Sequence, residues 1–494
     1  MTRGITIVGL GPGAPNLLTI EAQQVLQSAE EIYLRTRQHP TVEALSLTAR
    51  IYSFDDVYER ASTFEEVYAE IAARVVELGH REQGVVYAVP GHPLVGETSV
   101  QRILTLAEQE GLPVRIVEGL SFVEPVCARL RLDPLQGLQI ADATALALAH
   151  YPMFNPDLPL LIGQLYNRDL AAEIKLVLMM AYPDDHLVSL VRAAGTATEA
   201  VVTIPLYELD RCAEVDHLTS LYVPPLSTPG SLAAFQEIVA HLRAPEGCPW
   251  DREQTHRSLR PFLLEETYEV LEALDSEDLD SLKEELGDLL LQILLHTQIA
   301  IEQGEFKMAD VVSSVVTKLK RRHPHVFGQV HVSNAQEVLV NWERIKSEEK
   351  AAQQHKEGEH EEAEGLLAGI PDALPALARA QALQRRVERA GLDWPDVGHV
   401  WSKVEEEMTE LRQAHTGAAQ EIELGDVLFS LVSLARWLDI DAESALREAT
   451  ARFERRFQEV ERKCATHGQP LNGLGTARWK ELWEETKNKT AGYC

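Results

Sequence analysis

The sequence predicts an α/β amino-terminal region followed by an all-helical carboxy-terminal region. Three observations carry that expectation. Before about residue 225, short aliphatic runs end in loops rich in Gly, Pro and Ser and lead into helical stretches. Between Leu226 and Gly230 the composition shifts to Pro, Ser and Gly, and the strand signal then disappears. Beyond that point acids recur at helical spacing in two copies that keep the same order.

The first unit reads as a buried strand, Ile5-Thr6-Ile7-Val8, then Gly9-Leu10-Gly11-Pro12-Gly13, then a helix capped by Thr19 and running through Glu21 to Leu26. The glycines let a ligand approach backbone that a Cβ would block. A dinucleotide fingerprint fits less well, because the spacing is Gly-x-Gly-x-Gly with Pro12 inside it and several residues precede the helix. The layout recurs at Val85 to Val89 with Pro90-Gly91-His92-Pro93-Leu94-Val95, where a helix follows near Ser99 to Gln109. A third instance is Val114 to Val117 with Gly119-Leu120-Ser121-Phe122. Three such loops predict an open sheet with its ligand beyond the strand ends.

Together these loops resemble the tetrapyrrole methylase family over residues 3 to 225, including Tyr182-Pro183-Asp184-Asp185-His186 and closing strands near Val201 and Leu221. The resemblance implies two α/β subdomains with S-adenosylmethionine between them. Carried over by motif, Leu10 and Pro12, His92 and Val95, and Ser121 and Phe122 would line the cofactor site, with Gln164 a looser fit. Many members have Gly-Asp-Pro where this chain has Gly91-His92-Pro93. His92 is read as a turn residue rather than a general base.

In the helical region, Glu265, Glu266, Glu269 and Glu272 fall on one side of a helix, and Leu264, Tyr268, Leu271 and Leu274 on the other, so one face is expected to pack and one to bind. Glu285 and Asp288 repeat the i, i+3 spacing before the apolar run Leu289 to Leu295, and are expected to enter a helical core. Clustered carboxylates repel, by roughly 4 kcal/mol for a pair about 4 Å apart at an effective dielectric near 20. A cation removes that penalty, and an all-oxygen donor set suits Mg²⁺ or Mn²⁺.

The second copy consists of Glu406, Glu407, Glu410, Glu423 and Asp426, offset by 141 residues for Glu266 to Glu407 and by 138 for Asp288 to Asp426. After each acidic set comes a basic helix and an aromatic-basic pair: Lys318 and Arg322 with Trp342 and Lys346, then Arg452 and Arg456 with Trp483 and Lys487. Carboxylates for a metal followed by cations for phosphate point to nucleotide pyrophosphate chemistry.

These motifs, with Cys248-Pro249-Trp250-Asp251, Arg321 to Phe327 and Asn341 to Lys346, resemble the MazG family of all-α nucleoside triphosphate pyrophosphohydrolases from about residue 232 to 489. The resemblance implies Mg²⁺ on Glu266, Glu269, Glu285 and Asp288, and on Glu407, Glu410, Glu423 and Asp426. Glu265 and Glu266, with Glu406 and Glu407, would serve catalysis, the basic residues would clamp phosphates, and Trp342 and Trp483 would stack on a base, an interface aromatic being the equal alternative for Trp342. It also implies a bundle completed by another chain, and hence a homodimer.

The 494 residues are globular in composition, with 45% hydrophobic and 25% charged content. A net charge of -31 argues against general nucleic-acid binding, although a bound cation and local bases still admit small nucleotides. The five cysteines are widely spaced, which suits a reduced cytoplasm. No signal segment or membrane span is expected, since the oiliest run is broken by Asp288, Gln292 and His296. The expected organisation is 1–226 methylase-like, 232–346 first MazG-like copy, 347–366 charged linker and 367–489 second copy. The activity expected is conversion of nucleoside triphosphate to monophosphate and pyrophosphate, the alternative being a regulatory module that binds nucleotide or S-adenosylmethionine without turnover.

Overall fold

The computed structural model describes residues 3–44, 48–213, 215–356, 365–467, 470–471 and 474–490. Contacts divide the chain into two units, Met1–Gln254 and Thr255–Cys494.

The first unit opens with strands β1 (Ile5–Gly9), β2 (Glu31–Leu34), β3 (Arg50–Ser53), β4 (Val85–Val89) and β5 (Val114–Val117). Interleaved with them are helices α1 (Ile20–Ser28), α2 (Pro40–Ala44), α3 (Asp55–Arg60), α4 (Phe64–Gly79), α5 (Thr98–Gln109) and α6 (Val123–Leu130). The strands pair in the order β3-β2-β4-β1-β5, all in parallel. A parallel sheet is covered on both faces and so tolerates nearly unbroken apolar strands, which is why every residue of β4 is buried. Alternate side chains divide between the faces: Ile5 and Ile7 join Ile71, Val75 and Ile103 of α4 and α5, while Val8 and Val86 join Ala22 and Leu26 of α1. Thr19 caps α1 as expected, its hydroxyl accepting from Ala22 N at 3.2 Å.

The second subdomain continues with β6 (Gln139–Asp142), α7 (Ala143–Ala147), β7 (Leu160–Gly163), α8 (Arg168–Leu178), β8 (Leu187–Arg192), β9 (Ala200–Pro205) and β10 (Thr219–Val223). The sheet order is β6-β7-β10-β8-β9, with only β6 and β7 parallel. Helices α9 (Leu232–Arg243) and α10 (Pro249–Glu253) complete the unit. The division at Gln254 therefore lies later than the composition shift at 226–232. One tie is Asp157, whose carboxylate accepts from Gly230 N at 2.7 Å and Ser231 N at 3.0 Å, just ahead of α9.

The second unit contains α11 (Arg260–Asp275), α12 (Leu279–Gln303), α13 (Met308–Arg322), α14 (Pro324–Phe327), α15 (Ala335–Lys356), α16 (Ala376–Arg389), α17 (Val397–Gln413), α18 (Gly417–Trp437), α19 (Ala442–Thr466) and α20 (Thr476–Thr490). The acid-bearing helices pair as hairpins, α11 on α12 and α17 on α18; the basic helices pair separately, α13 on α15 and α19 on α20. Arg447 of α19 reaches across to Asp275 at the end of α11, 2.8 Å away, linking the two copies. No helix among the described residues is long and apolar enough to cross a membrane.

Two expectations are corrected. Leu264, Tyr268 and Leu274, expected to pack, are exposed at 44%, 47% and 51%, whereas Ala273 on the acid-bearing side of α11 is buried. Asp288 is exposed and Glu285 half-buried, so neither is enclosed in a core. The physical reason is common to both. Two helices bury one stripe each, and among the described residues the remaining apolar face is left uncovered. Of the expected linker, residues 347–356 extend α15, and 357–364 lie outside the described residues.

Candidate active site

In the first copy, carboxylate oxygens of Glu266, Glu285 and Asp288 lie within 4.8 Å of one another. The i, i+3 spacing turns Glu285 and Asp288 to the same side of α12, and Glu266 meets them from α11. Burial pushes the Glu266 carboxyl up, and Asp288 and Glu269 push it further; burial and then Glu269 act likewise on Glu285. Raised carboxyls mark negative charges brought together without compensation.

In the second copy the converging set is Glu407, Glu410 and Glu423, with Glu407 only 7% exposed. Burial, Glu410 and Asp426 raise Glu423. Asp426 and Glu407 line a cavity of about 170 Å³ with Trp394, Val400, Lys403 and Phe429. Lys403 was not singled out in the sequence. Its ammonium lies 2.9 Å from Glu406 and 2.8 Å from Glu407, which hold its pKa above the usual lysine range. The signal was available, since residues three and four apart on a helix are neighbours. The first copy has Phe262 at the position 141 residues earlier.

The donor set of both clusters is carboxylate oxygen alone, which fits a hard divalent cation and not zinc. Glu269 is exposed and sits beside Glu266; Glu265 is exposed and outside the trio, and Glu406 is engaged by Lys403.

The basic residues meet their aromatic partners on the other helix pairs. Arg322 and Lys346 lie over the Trp342 ring at 5.4 and 4.8 Å, and Arg322 donates to Glu349 at 2.6 Å, so its charge is already paired. Lys318 stands one turn before Arg322 on α13. In the second copy Arg452 pairs with Glu448 at 3.3 Å, Arg456 follows one turn later, and Trp483 packs on Phe453 and Trp479 at 5.3 and 5.5 Å. Lys487 lies on α20, its side chain outside the described residues.

In the first unit the three loops meet at the ends of β1, β4 and β5. A Cβ on Gly9 would lie 2.7 Å from Gly91 O and 2.8 Å from Gly119 N, so only glycine permits this approach. Gly11 and Gly91 also exchange backbone hydrogen bonds of 3.2 and 2.8 Å. Gln164, in the left-handed region at φ 60°, donates to Gly96 O at 2.9 Å and ties the second subdomain to the second loop. The Phe122 ring covers Gly163. Ser121 Oγ donates to Glu124 at 2.7 Å and accepts from Val123 N at 3.0 Å just ahead of α6, and the Leu10 side chain is in the core, leaving backbone to face a ligand there. Pro12 and Val95 are half-buried. His92 is a turn residue, its Nδ1 accepting from Leu94 N at 3.0 Å.

Beneath these loops lie groups that were not legible in the sequence. Arg35 pairs with Glu97, which is 6% exposed, and donates from Nε to Tyr58 at 2.9 Å. His39 is hydrogen-bonded to the Gly11 backbone; burial and then the Arg35 charge push it down to about 4, so it is neutral.

Comparison with known proteins bears on both units. The family model of the tetrapyrrole (corrin/porphyrin) methylases matches residues 4–210, and that of the MazG nucleotide pyrophosphohydrolase domain matches residues 254–327. The chain is 42% identical over 496 residues to the "Uncharacterized protein YabN" of Bacillus subtilis (strain 168), covering 99% of each. It is 46% identical over 258 residues to the nucleoside triphosphate pyrophosphohydrolase of Escherichia coli (strain K12), covering 51% of this chain and 95% of that protein. Among solved structures, uroporphyrin-III-C-methyltransferase from Thermus thermophilus is 25% identical and covers 45% of this chain and 92% of its own, with a TM-score of 0.36. The chain thus belongs to the family in which a tetrapyrrole methylase domain is fused to a MazG nucleotide pyrophosphohydrolase domain.

Proposed function

We propose that the helical unit hydrolyses nucleoside triphosphates to the monophosphate and pyrophosphate with Mg²⁺ or Mn²⁺, and that the amino-terminal unit binds S-adenosylmethionine. The observation that carries the first reading is the convergence of carboxylates to within 4.8 Å in both copies, in the same order along the chain. Two repulsive clusters that share the aligned positions Glu266 with Glu407 and Glu285 with Glu423 are best explained by a shared cation requirement. A bound divalent cation supplies neutralisation of phosphate charge and a lowered pKa for a coordinated water.

The chain's own groups do the remaining work. Glu266, Glu269, Glu285 and Asp288 hold the cation in the first copy, and Glu407, Glu410, Glu423 and Asp426 in the second. Glu265 and Glu406 stand beside these ligands and are placed to orient a water or take its proton. Lys403 neutralises Glu407 while the site is free and is near enough to meet a phosphate oxygen. Arg322, Lys346 and Lys318, and Arg452, Arg456 and Lys487, add phosphate contacts, for which Arg322 must exchange Glu349 for the substrate.

Assembly belongs to this reading. The exposed apolar face of α11, with Leu286 and Ile293 of α12 exposed at 49% and 42%, is the face a second copy would cover to make a homodimer. In the first unit, the glycine-clasped loops and the Gln164 tie support a cofactor cleft between the subdomains.

The test is release of pyrophosphate from nucleoside triphosphates by purified full-length protein with Mg²⁺. Release of orthophosphate instead, or no turnover by folded protein, refutes the hydrolase reading. Calorimetry with S-adenosylhomocysteine should give binding heat that Gly11→Val removes, and folded wild-type protein giving no heat up to millimolar ligand refutes the cofactor reading.

A further inference from the structure

His256 and His296, 40 residues apart, face each other in the first helical copy with their Nδ1 atoms 2.8 Å apart. The ring planes differ by 5° and the centroids are 5.1 Å apart. The centroid separation exceeds the nitrogen separation by about two ring radii, so the rings lie nearly in one plane, edge to edge, with the Nδ1 positions aimed at each other. Two lone pairs cannot be aimed at each other in this way. One ring must carry its proton on Nδ1 and donate to the other.

The second copy shows what this position holds otherwise. The offsets that align the acids place Val397 at His256 and Leu434 at His296, and both belong to one apolar cluster with Val400, Val404 and Trp437. Leu259 and Val400, aligned by the same offset, are each 1% exposed. The hairpins thus share one contact position, filled by an apolar pair in one copy and by a hydrogen-bonded imidazole pair in the other.

We propose that His256 and His296 form a one-proton latch, which ties the segment leading into α11 to α12 and opens when both rings are protonated. The first proton does no harm. His256 is exposed, so its Nε2 is open to water, and a proton placed there leaves the Nδ1 bond intact with added charge assistance. The second proton leaves two N–H groups facing each other, and the bond is lost.

Charges of both signs lie near the pair in sequence, with Asp251 and Glu253 ahead of His256. Arg257 and Arg260 are the exposed cations beside His256, the first acid of α11 is Glu265, and α12 carries no other ionisable residue between Asp288 and Glu302. Burial and then His256 lower the pKa of His296, whose Nε2 is enclosed without a partner. A depressed histidine contributes stability above its unfolded pKa and loses it as pH falls through the folded value, so the latch weakens in acid. Coplanar, head-on nitrogens disfavour the alternative of a shared metal, whose ligand lone pairs must converge to one side of the line between them. The latch stands apart from the hydrolase reading.

The test uses full-length protein labelled with ¹⁵N-histidine, the two rings being assigned with His256→Val and His296→Leu. Near pH 7.5, well above the ordinary histidine pKa, one Nδ1 should be protonated and its partner bare, with the proton coupled to both. Acidification below the ordinary histidine range should protonate the second ring and, at the same pH, deprotect amides at 256–263 and 292–299. The double variant His256→Val with His296→Leu, which installs the pair of the second copy, should keep those amides protected over the same range. Independent titration of the two rings in wild-type protein overturns the proposal, as does identical acid opening in the double variant. A thermal shift with Zn²⁺ or Ni²⁺ that the double variant lacks would make the pair a metal site and overturn the latch as well.

Discussion

The two helical copies carry the same acids in the same order but surround them differently. In the first copy the cluster is half open and its helix turns Leu264, Tyr268 and Leu274 outward, with Leu271 half-buried between them. The aligned positions of the second copy are Glu405, Thr409, Arg412 and His415, a face at home in water. The second copy instead encloses Glu407 in a cavity and supplies Lys403 where the first has Phe262. The acid constellation is thus separable from its setting. The first copy leaves an apolar α11 face exposed, and the second offers a pocket with its own counter-charge, while Leu286 and Ile293 of α12 and the aligned Leu424 and Leu431 of α18 are exposed in both.

The strongest challenge to this contrast is to remove one acid from each copy. Asp288→Asn and Asp426→Asn singly should leave part of the pyrophosphate release, and the double variant should lose at least about a hundredfold, the scale of losing one charge-stabilising contact. Substantial activity in a folded double variant would sink the cation sites. Next in size is assembly. Tyr268→Glu with Leu274→Glu should convert the oligomer to a monomer by light scattering, while Thr409→Leu should leave the mass unchanged; a mass unaffected by the first pair places the seam elsewhere.

A subtler exchange concerns the counter-charge. Lys403→Met should lower the melting temperature without Mg²⁺ and increase the gain that Mg²⁺ brings, because the acids of the second copy would then resemble those of the first. Phe262→Lys should reduce that gain in the first copy. Differential scanning calorimetry decides, and equal Mg²⁺ responses in all three proteins would remove Lys403 from the site. The smallest effect belongs to Glu349, whose carboxyl is held below its usual range first by the Arg322 hydrogen bond. Its contribution is present above the unfolded carboxylate pKa and is lost as pH falls through the depressed folded value. Glu349→Gln should lower the melting temperature by about 2–4 °C at neutral pH, the scale of 1 kcal/mol in a unit of this size, and the deficit should shrink in acid. A deficit independent of pH would mean that packing, not the ion pair, is lost.

The glycine loops, the acid pairs and their duplication were legible because each is written in local spacing. The covered face of α11 was not. Periodicity separates two faces of a helix without saying which one a neighbour covers, and here the more apolar face lies open. Arg35 with Glu97, and His256 with His296, join residues 62 and 40 apart, and nothing in either local sequence announces its partner. Lys403 was legible in principle, as an i, i+4 partner of Glu407. A lysine beside three glutamates reads as a solvated face until the cavity around it is known.

The clasp of Gly9, Gly91 and Gly119 has a consequence for synthesis. Its members come from β1, β4 and β5, so the loop ends of the first sheet cannot lock until the chain has been made past residue 119. Up to then β1 lacks its β5 neighbour and presents an open edge, the kind of surface that recruits stray strands. A slow ribosome over residues 90 to 119 would lengthen that exposure, and the nascent chain would be most in need of a chaperone there. The fold thus sets a timetable as well as a shape: the glycine clasp is the last part of the first sheet to exist.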